Sequence, residues 1–291
     1  MKAVDKSKDN SAFSISEVCQ QFELKRDAFY KYRKRFVKKQ EIKSQVIKLV
    51  KNCRKILSRE GTRKLHKELG KSFSERNLKV GRDSLFNILR EENMLIKRKK
   101  SFVKTTNSYH HFHKYNNLIK NIKVTHPNQI WVSDITYIRS YKGFCYLALI
   151  TDLYSRKIVG YDVSSSLELE GCLRALKRAF RTAGNTNGLI HHSDRGVQYC
   201  SHIYVNQLKN RKIKISMTEE NHCYENAVAE RVNGILKDEF YLDQTFNNEN
   251  HIKQATKNAI ALYNDKRLHL SLDFKTPNMV YNNVTKFNFN L

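Results

Sequence analysis

A chain of 291 residues with 40% hydrophobic residues is long enough to bury a core in one large domain or in two to three small ones, so a globular protein is expected. Its net charge of +26 is concentrated: residues 1–126 hold 33 Lys and Arg against 12 Asp and Glu, whereas residues 127–291 hold 21 against 16. The first half is therefore suited to a polyanion, and nucleic acid is favoured over an anionic membrane because no amphipathic anchor accompanies the charge. No stretch approaches 18 apolar residues and the N-terminus is polar and charged, which predicts a cytoplasmic chain with neither secretion nor membrane insertion. Six cysteines without a CxxC pair fit reduced thiols better than a zinc knuckle or a disulfide framework.

Residues 1–12 are polar and expected to lack structure. From Ser14, the apolar positions Ile15, Val18, Cys19 and Phe22 predict a short helix, and Phe29, Tyr30, Tyr32 and Phe36 a second one after a tight turn. The second carries Arg26, Lys31, Arg33, Lys34 and Arg35, so the pair reads either as a helix-turn-helix with a DNA-facing second helix or as a basic helical hairpin with solvated charges. Residues 42–60, 65–69 and 83–95 continue the helical spacing as a second small unit. The basic run Lys97, Arg98, Lys99 and Lys100 follows, then a poorly structured linker over 101–126 whose His110, His111 and His113 lack a second ligand pair at zinc spacing.

At Pro127 the texture changes. Ile130–Ile138, Phe144–Leu153 and Lys157–Val163 read as three strands with connections short enough to demand antiparallel neighbours. A helix over Leu169–Phe180, a strand over 189–193, a helix over 202–211, a strand over 213–217 and a long helix over 224–240 follow, which gives an α/β fold with a mixed sheet and helices on its faces.

Three carboxylates stand out. Asp134 lies inside the first strand, where β-propensity disfavours it, and Asp194 follows the apolar lead-in Leu189–Ile190 at a strand end. Glu230 belongs to a stripe with Asn226, Asn233 and Lys237 that recurs at helical spacing, opposite Val228, Val232, Ile235 and Leu236, and is expected to look outward. Each has a bland reading: Asp194 as a helix cap, Asp134 as a partner of backbone groups, Glu230 as an ordinary surface side chain.

Together the segments WVSDITY (131–137), HSDRGVQY (192–199), SMTEENHCYENAVAERVNGILKDE (216–239) and YNDKRLHLSLDFKTP (263–277) closely resemble the catalytic domain of the bacterial insertion-sequence transposases of the family numbered three, relatives of retroviral integrases. The resemblance covers residues 127–282 and implies a ribonuclease H-like mixed five-stranded sheet flanked by helices, preceded by all-α helix-turn-helix DNA-binding units. It divides the chain into a helix-turn-helix (1–40), a second helical DNA-binding unit (41–100), a basic linker (101–126), the catalytic core (127–243) and a C-terminal helical extension (244–291). It assigns Asp134, Asp194 and Glu230, the last two separated by 35 residues, to a DDE triad, with Lys237 seven places after the glutamate. Two Mg²⁺ ions, replaceable by Mn²⁺, are then expected on the three carboxylates, Asp134 bridging both. Lys237, Arg195, Asn226 and Gln198 are candidate contacts to terminal DNA, and one of His191 and His192 is a conceivable general base, with strand packing favoured for His191.

The resemblance further implies double-stranded DNA partners, namely terminal inverted repeats and target DNA, a homo-oligomer of at least a dimer, and association with the bacterial nucleoid. Glu225 stands where the family usually has Asp, which touches substrate contacts and leaves the triad intact. Asp152 is a competing carboxylate, expected to serve packing or a turn. Tyr263, Asn264, Arg267 and His269 are expected to form a structural or DNA-facing clamp. Two rivals remain, a ribonuclease of the same fold and a repressor that uses only residues 1–100.

Overall fold

Glycine and proline are absent from residues 26 to 60, and Arg26–Arg54 of that stretch form one long helix. The structure is a computed structural model that describes residues 14–96, 111–219 and 226–287. The segment 1–12, Lys97, Arg98, Lys99, Lys100, His110, Cys223 and Glu225 lie outside the described residues. The chain divides into two compact units, Met1–Ile56 with Gly61–Leu95, and Leu57–Glu60 with Ile96–Leu291.

In the first unit α1 (Ile15–Gln21) opens on a capping box, in which Ser14 Oγ accepts from Glu17 N (3.3 Å) and Ser14 N donates to Glu17 Oε2 (2.7 Å). A turn with Glu23 at φ +50° leads into α2 (Arg26–Arg54), and Val18, Cys19 and Phe29 close a small core between the two helices. Arg26, Lys31, Arg33, Lys34 and Arg35 are all exposed on α2. The expected boundary at residue 40 falls inside this helix. Nothing breaks α2 there, so its second half supplies Val46, Leu49 and Val50 to a separate core with Leu65 and Leu69 of α3 (Thr62–Glu75) and Leu85 and Leu89 of α4 (Arg82–Glu91).

The second unit is built on a five-stranded sheet with β1 (Ile130–Ser140), β2 (Gly143–Asp152), β3 (Ile158–Ser164), β4 (Ile190–Ser193) and β5 (Lys214–Met217) in the order β3-β2-β1-β4-β5. The first three are antiparallel, as their short connections require, and β4 and β5 add in parallel. On one face, α5 (Leu169–Ala183), α6 (Val197–Cys200) and α7 (His202–Lys209) cover Trp131, Ala148, Ile150 and Val159. On the other, α8 (Ala227–Glu239) and α9 (Glu249–Asp265) cover Ile138, Leu147, Leu149 and Val163. The C-terminal segment is thus part of this core: Ile252, Ile260 and Tyr263 are buried, and Tyr281 of α10 (Pro277–Phe287) donates to Asn128 Oδ1 (3.0 Å).

The linker reading of residues 101–126 is corrected for its second half. Residues 111–126 form no helix or strand, yet they pack on the sheet unit: Phe112 and Tyr115 lie against its core, Leu118 N donates to Ser216 Oγ (2.8 Å), and Ile119 and Val124 pack with Ile130, Ile190 and Ala229. Its apolar side chains supply the burial that a mere tether would not need.

β3 runs close against α5, and Gly160 is what permits it. A Cβ there would come within 2.3 Å of the Ala175 carbonyl oxygen and 2.8 Å of Ala179 Cβ. Because backbone must move to admit it, Gly160→Ala is expected to cost about 3 kcal/mol, read by urea denaturation. A loss below about 1 kcal/mol would show that the contact yields easily.

Candidate active site

The lengths of two parallel strands create the site. β4 pairs with β1 only from Ile130↔Ile190 to Ser133↔Ser193, so the next residues, Asp134 and Asp194, stand side by side where the pairing stops. Beyond that point no described residue pairs with this edge of β1 until Phe246 bridges Ser140, which leaves it open among the described residues. Adjacent strands lie about 4.8 Å apart, which brings both carboxylates to one opening. Asp194 is set by its own turn, its Oδ1 accepting from Gly196 N (3.0 Å).

Glu230 comes from the first turn of α8, where a carboxylate also suits the helix dipole, and it is exposed. The helix is docked by two amides: Asn226 Nδ2 donates to Ser133 O (3.0 Å) and Asn233 Nδ2 to Asp134 Oδ2 (2.7 Å). Asn226 and Asn233 are buried. This corrects two expectations. Within the stripe of Asn226, Glu230, Asn233 and Lys237 only Glu230 is exposed, as expected, while Asn226 and Asn233 face β1 rather than bulk solvent, and Asn226 is a docking residue with no surface to offer DNA. Amides on a helix read as solvated until a strand edge with unpaired carbonyls lies opposite.

Burial, then the negative charge of Asp194 and Glu230, pushes the Asp134 carboxyl up to about 7, against the Asn233 bond and a bond from Ile135 N (2.9 Å). Lys237 Nζ lies 4.2 Å over the Tyr137 ring; burial lowers its pKa, while Asp134 and Asp243 oppose that shift. Three mutually repelling carboxylates beside one half-buried ammonium form an oxygen-only donor set, as hard divalent cations prefer. Among the described residues no three His, Cys, Asp or Glu side chains are gathered closely enough to hold a single ion.

Arg195 is half-buried beside Asp194, and Gln198 Nε2 is committed to Leu167 O (2.7 Å), which ties the loop before α5 to the site. A cavity of about 460 Å³ lined by Lys157, Gly160, Tyr161, Arg178, Arg181 and Asn264 lies along β3, and none of the three carboxylates lines it.

Integrase core domain profiles match residues 124–223 and 211–277. The chain is 35% identical over 264 residues to an insertion element IS600 uncharacterized 31 kDa protein of Shigella sonnei, spanning 89% of this chain and 96% of that protein. It is 30% identical over 275 residues to transposase InsF for insertion sequence IS3A of Escherichia coli K12, spanning 92% and 94%. The chain belongs to the insertion-sequence transposase family. It is a DDE transposase with an integrase-type, polynucleotidyl-transferase core. The HTLV-2 integrase catalytic core domain in complex with magnesium superposes with a TM-score of 0.44 at 19% identity over 55% of this chain and 99% of that one.

The other candidates in this transposase are structural. His191 is wholly buried with Nε2 2.8 Å from Ser133 Oγ and 3.0 Å from Tyr204 Oη, and burial drives its pKa down to about 3. It is neutral at physiological pH and locks β1 to β4 from behind, as packing on the strand predicts. His192 is also buried, its Nδ1 2.8 Å from Ser216 Oγ, so neither ring reaches the opening as a general base. Asp152 accepts from Asn128 N (2.7 Å), Ser155 N (2.8 Å) and Ser155 Oγ (2.5 Å), a turn-forming role. The clamp is internal. Asn264 makes two 3.0 Å bonds to the Ile158 backbone, Tyr263 donates to Arg156 O (3.1 Å), and Arg267 grips Glu239 at 2.8 and 2.6 Å. His269 stacks edge-on against Tyr263. No helix among the described residues is long and apolar enough to cross a membrane.

Proposed function

We propose that Asp134, Asp194 and Glu230 are the catalytic carboxylates of this transposase, that they hold two Mg²⁺ ions, replaceable by Mn²⁺, and that the site cleaves insertion-sequence ends and joins them to target DNA. The observation that supports this is the strand register, which sets Asp134 beside Asp194 at the open edge of β1 while α8 brings Glu230 within electrostatic reach of Asp134. Bound divalent ions would supply charge to the scissile phosphate and lower the pKa of an attacking water. Asp134, oriented by Asn233, would hold the ions together with Asp194 and Glu230. A 3′-hydroxyl in place of water turns cleavage into strand transfer without a second site. No protein nucleophile is required, and the buried, neutral His191 takes no proton.

Lys237 and Arg195 are the contacts we assign to DNA phosphates near the carboxylates, with Gln198 positioning the adjoining loop. Arg26, Lys31, Arg33 and Lys34 on the exposed face of α2, with Lys97, Arg98, Lys99 and Lys100, would bind terminal inverted repeats and so form the DNA-binding units of residues 1–100. Paired ends imply at least a dimer, working at the bacterial nucleoid. The test is Asp194→Asn and Glu230→Gln in full-length protein on terminal-repeat DNA with Mg²⁺. Cleavage and joining should fall on the order of 10³-fold, the several kcal/mol of metal stabilisation, while end binding persists. Strand joining that survives in either variant would remove the assignment. Cleavage of an RNA–DNA hybrid in preference to repeat DNA would favour the ribonuclease reading.

A further inference from the structure

The far half of β1 carries chemistry that the carboxylates do not use. Its hairpin to β2 turns through Tyr141 and Lys142 and is closed by Gly143 at φ +121°. Ser140 Oγ accepts from Lys142 N and donates to Gly143 O, both at 3.2 Å, and Tyr141 N donates to Phe246 O at 3.0 Å. The tip is thus pinned, yet Tyr141 is 77% exposed and Phe144 46% exposed. Phe144 meets Tyr137 edge-on with centroids 5.2 Å apart, the Arg139 guanidinium lies 5.5 Å from the Phe144 ring, and Lys237 caps the Tyr137 ring. Tyr137 is three residues from Asp134, about 10 Å along the strand and on the other face of the sheet, and Lys237 of α8 links the two faces at this edge by reaching the Tyr137 ring.

Rings alone would suit an apolar protein partner, whose interface core is depleted of charge. Cations alone would suit a duplex backbone, which offers phosphates and hides its base faces. Here exposed rings alternate with Arg139, Lys142 and Lys237, and the ligand that presents flat faces and anionic links together is an unpaired nucleic-acid strand. We propose that the β1–β2 hairpin is a stacking platform for unpaired bases of the DNA strand whose phosphodiester enters the carboxylate site. The inference rests on the reading of that site given above.

Full-length protein without divalent ions is to be titrated with a blunt duplex and with the same duplex carrying a short unpaired end that contains 2-aminopurine. Stacking is sequence-tolerant, so the repeat need not be known. The wild type should prefer the unpaired end by about 10-fold and quench its fluorescence. Tyr141→Ala with Phe144→Ala should lose both while binding the blunt duplex within about 2-fold, and Tyr141→Trp with Phe144→Trp should restore both. No preference in the wild type, or preference and quenching that survive the double alanine change, would overturn the platform. So would a variant that alters only self-association in sedimentation, which would make the hairpin a contact between copies. Binding here needs no metal, so a mistaken triad would show instead as Asp194→Asn cleaving normally with Mg²⁺ while these titrations stand.

Discussion

Asp134→Asn, free of divalent ions, is expected to be more stable than the wild type at pH 7 and inactive in strand cleavage. Asn keeps the shape and an oxygen for the Asn233 bond, but removes a charge that burial, Asp194 and Glu230 all oppose. The sign follows from linkage. A carboxyl raised from 3.8 to about 7 holds its proton more tightly when folded, so its favourable contribution is complete below about pH 4 and is lost as pH climbs to about 7. A shift of about three pH units corresponds to at most about 4 kcal/mol. Urea denaturation from pH 4 to 7 should show wild type falling relative to the variant. Added Mg²⁺ should raise the wild-type melting temperature and leave the variant's unchanged. Parallel pH curves for the two proteins would contradict this.

Asp152→Ala should produce the largest loss of stability, about 3–5 kcal/mol, without entering the chemistry. Its carboxylate is wholly buried and gathers the Asn128 N–H with the Ser155 N–H and hydroxyl, joining the start of β1 to the β2–β3 turn. Truncation leaves these donors facing a cavity. Asn128 and Arg156 hold positive φ, +61° and +64°, so the surrounding backbone has little freedom to collapse. Denaturation midpoints measure the loss, and cleavage per folded molecule below the transition should match wild type. A cost under about 1 kcal/mol would mean water replaces the carboxylate.

The sheet was legible because its signals are local. Short connections forced the meander from β1 to β3, and the switch from alternating to helical spacing after Ser164 marked the helices. Asp134 was legible as a polar residue where a strand should be apolar. The inward direction of Asn226 and Asn233 was not, since it depends on the open edge of β1, created by β4 ending at Ser193, some 60 residues away in sequence. The same limit hid Asn233 as the partner of Asp134, although its position three residues after Glu230 was visible. The boundary at residue 40 came with the resemblance and has no breaker of its own in the sequence. Helix continuity depends on backbone breakers, and there are none between Arg26 and Glu60. The packed segment 111–126 was masked by its lysines and histidines, which sit outward while Phe112, Tyr115, Ile119 and Val124 carry the contacts.

The most direct measurement is anomalous scattering from crystals of the protein grown with Mn²⁺ and DNA ends. The account predicts peaks shared by Asp134 with Asp194 and by Asp134 with Glu230, both lost in Asp134→Asn. Peaks on other residues, or a carboxylate set that stays apart with DNA and metal bound, would contradict it.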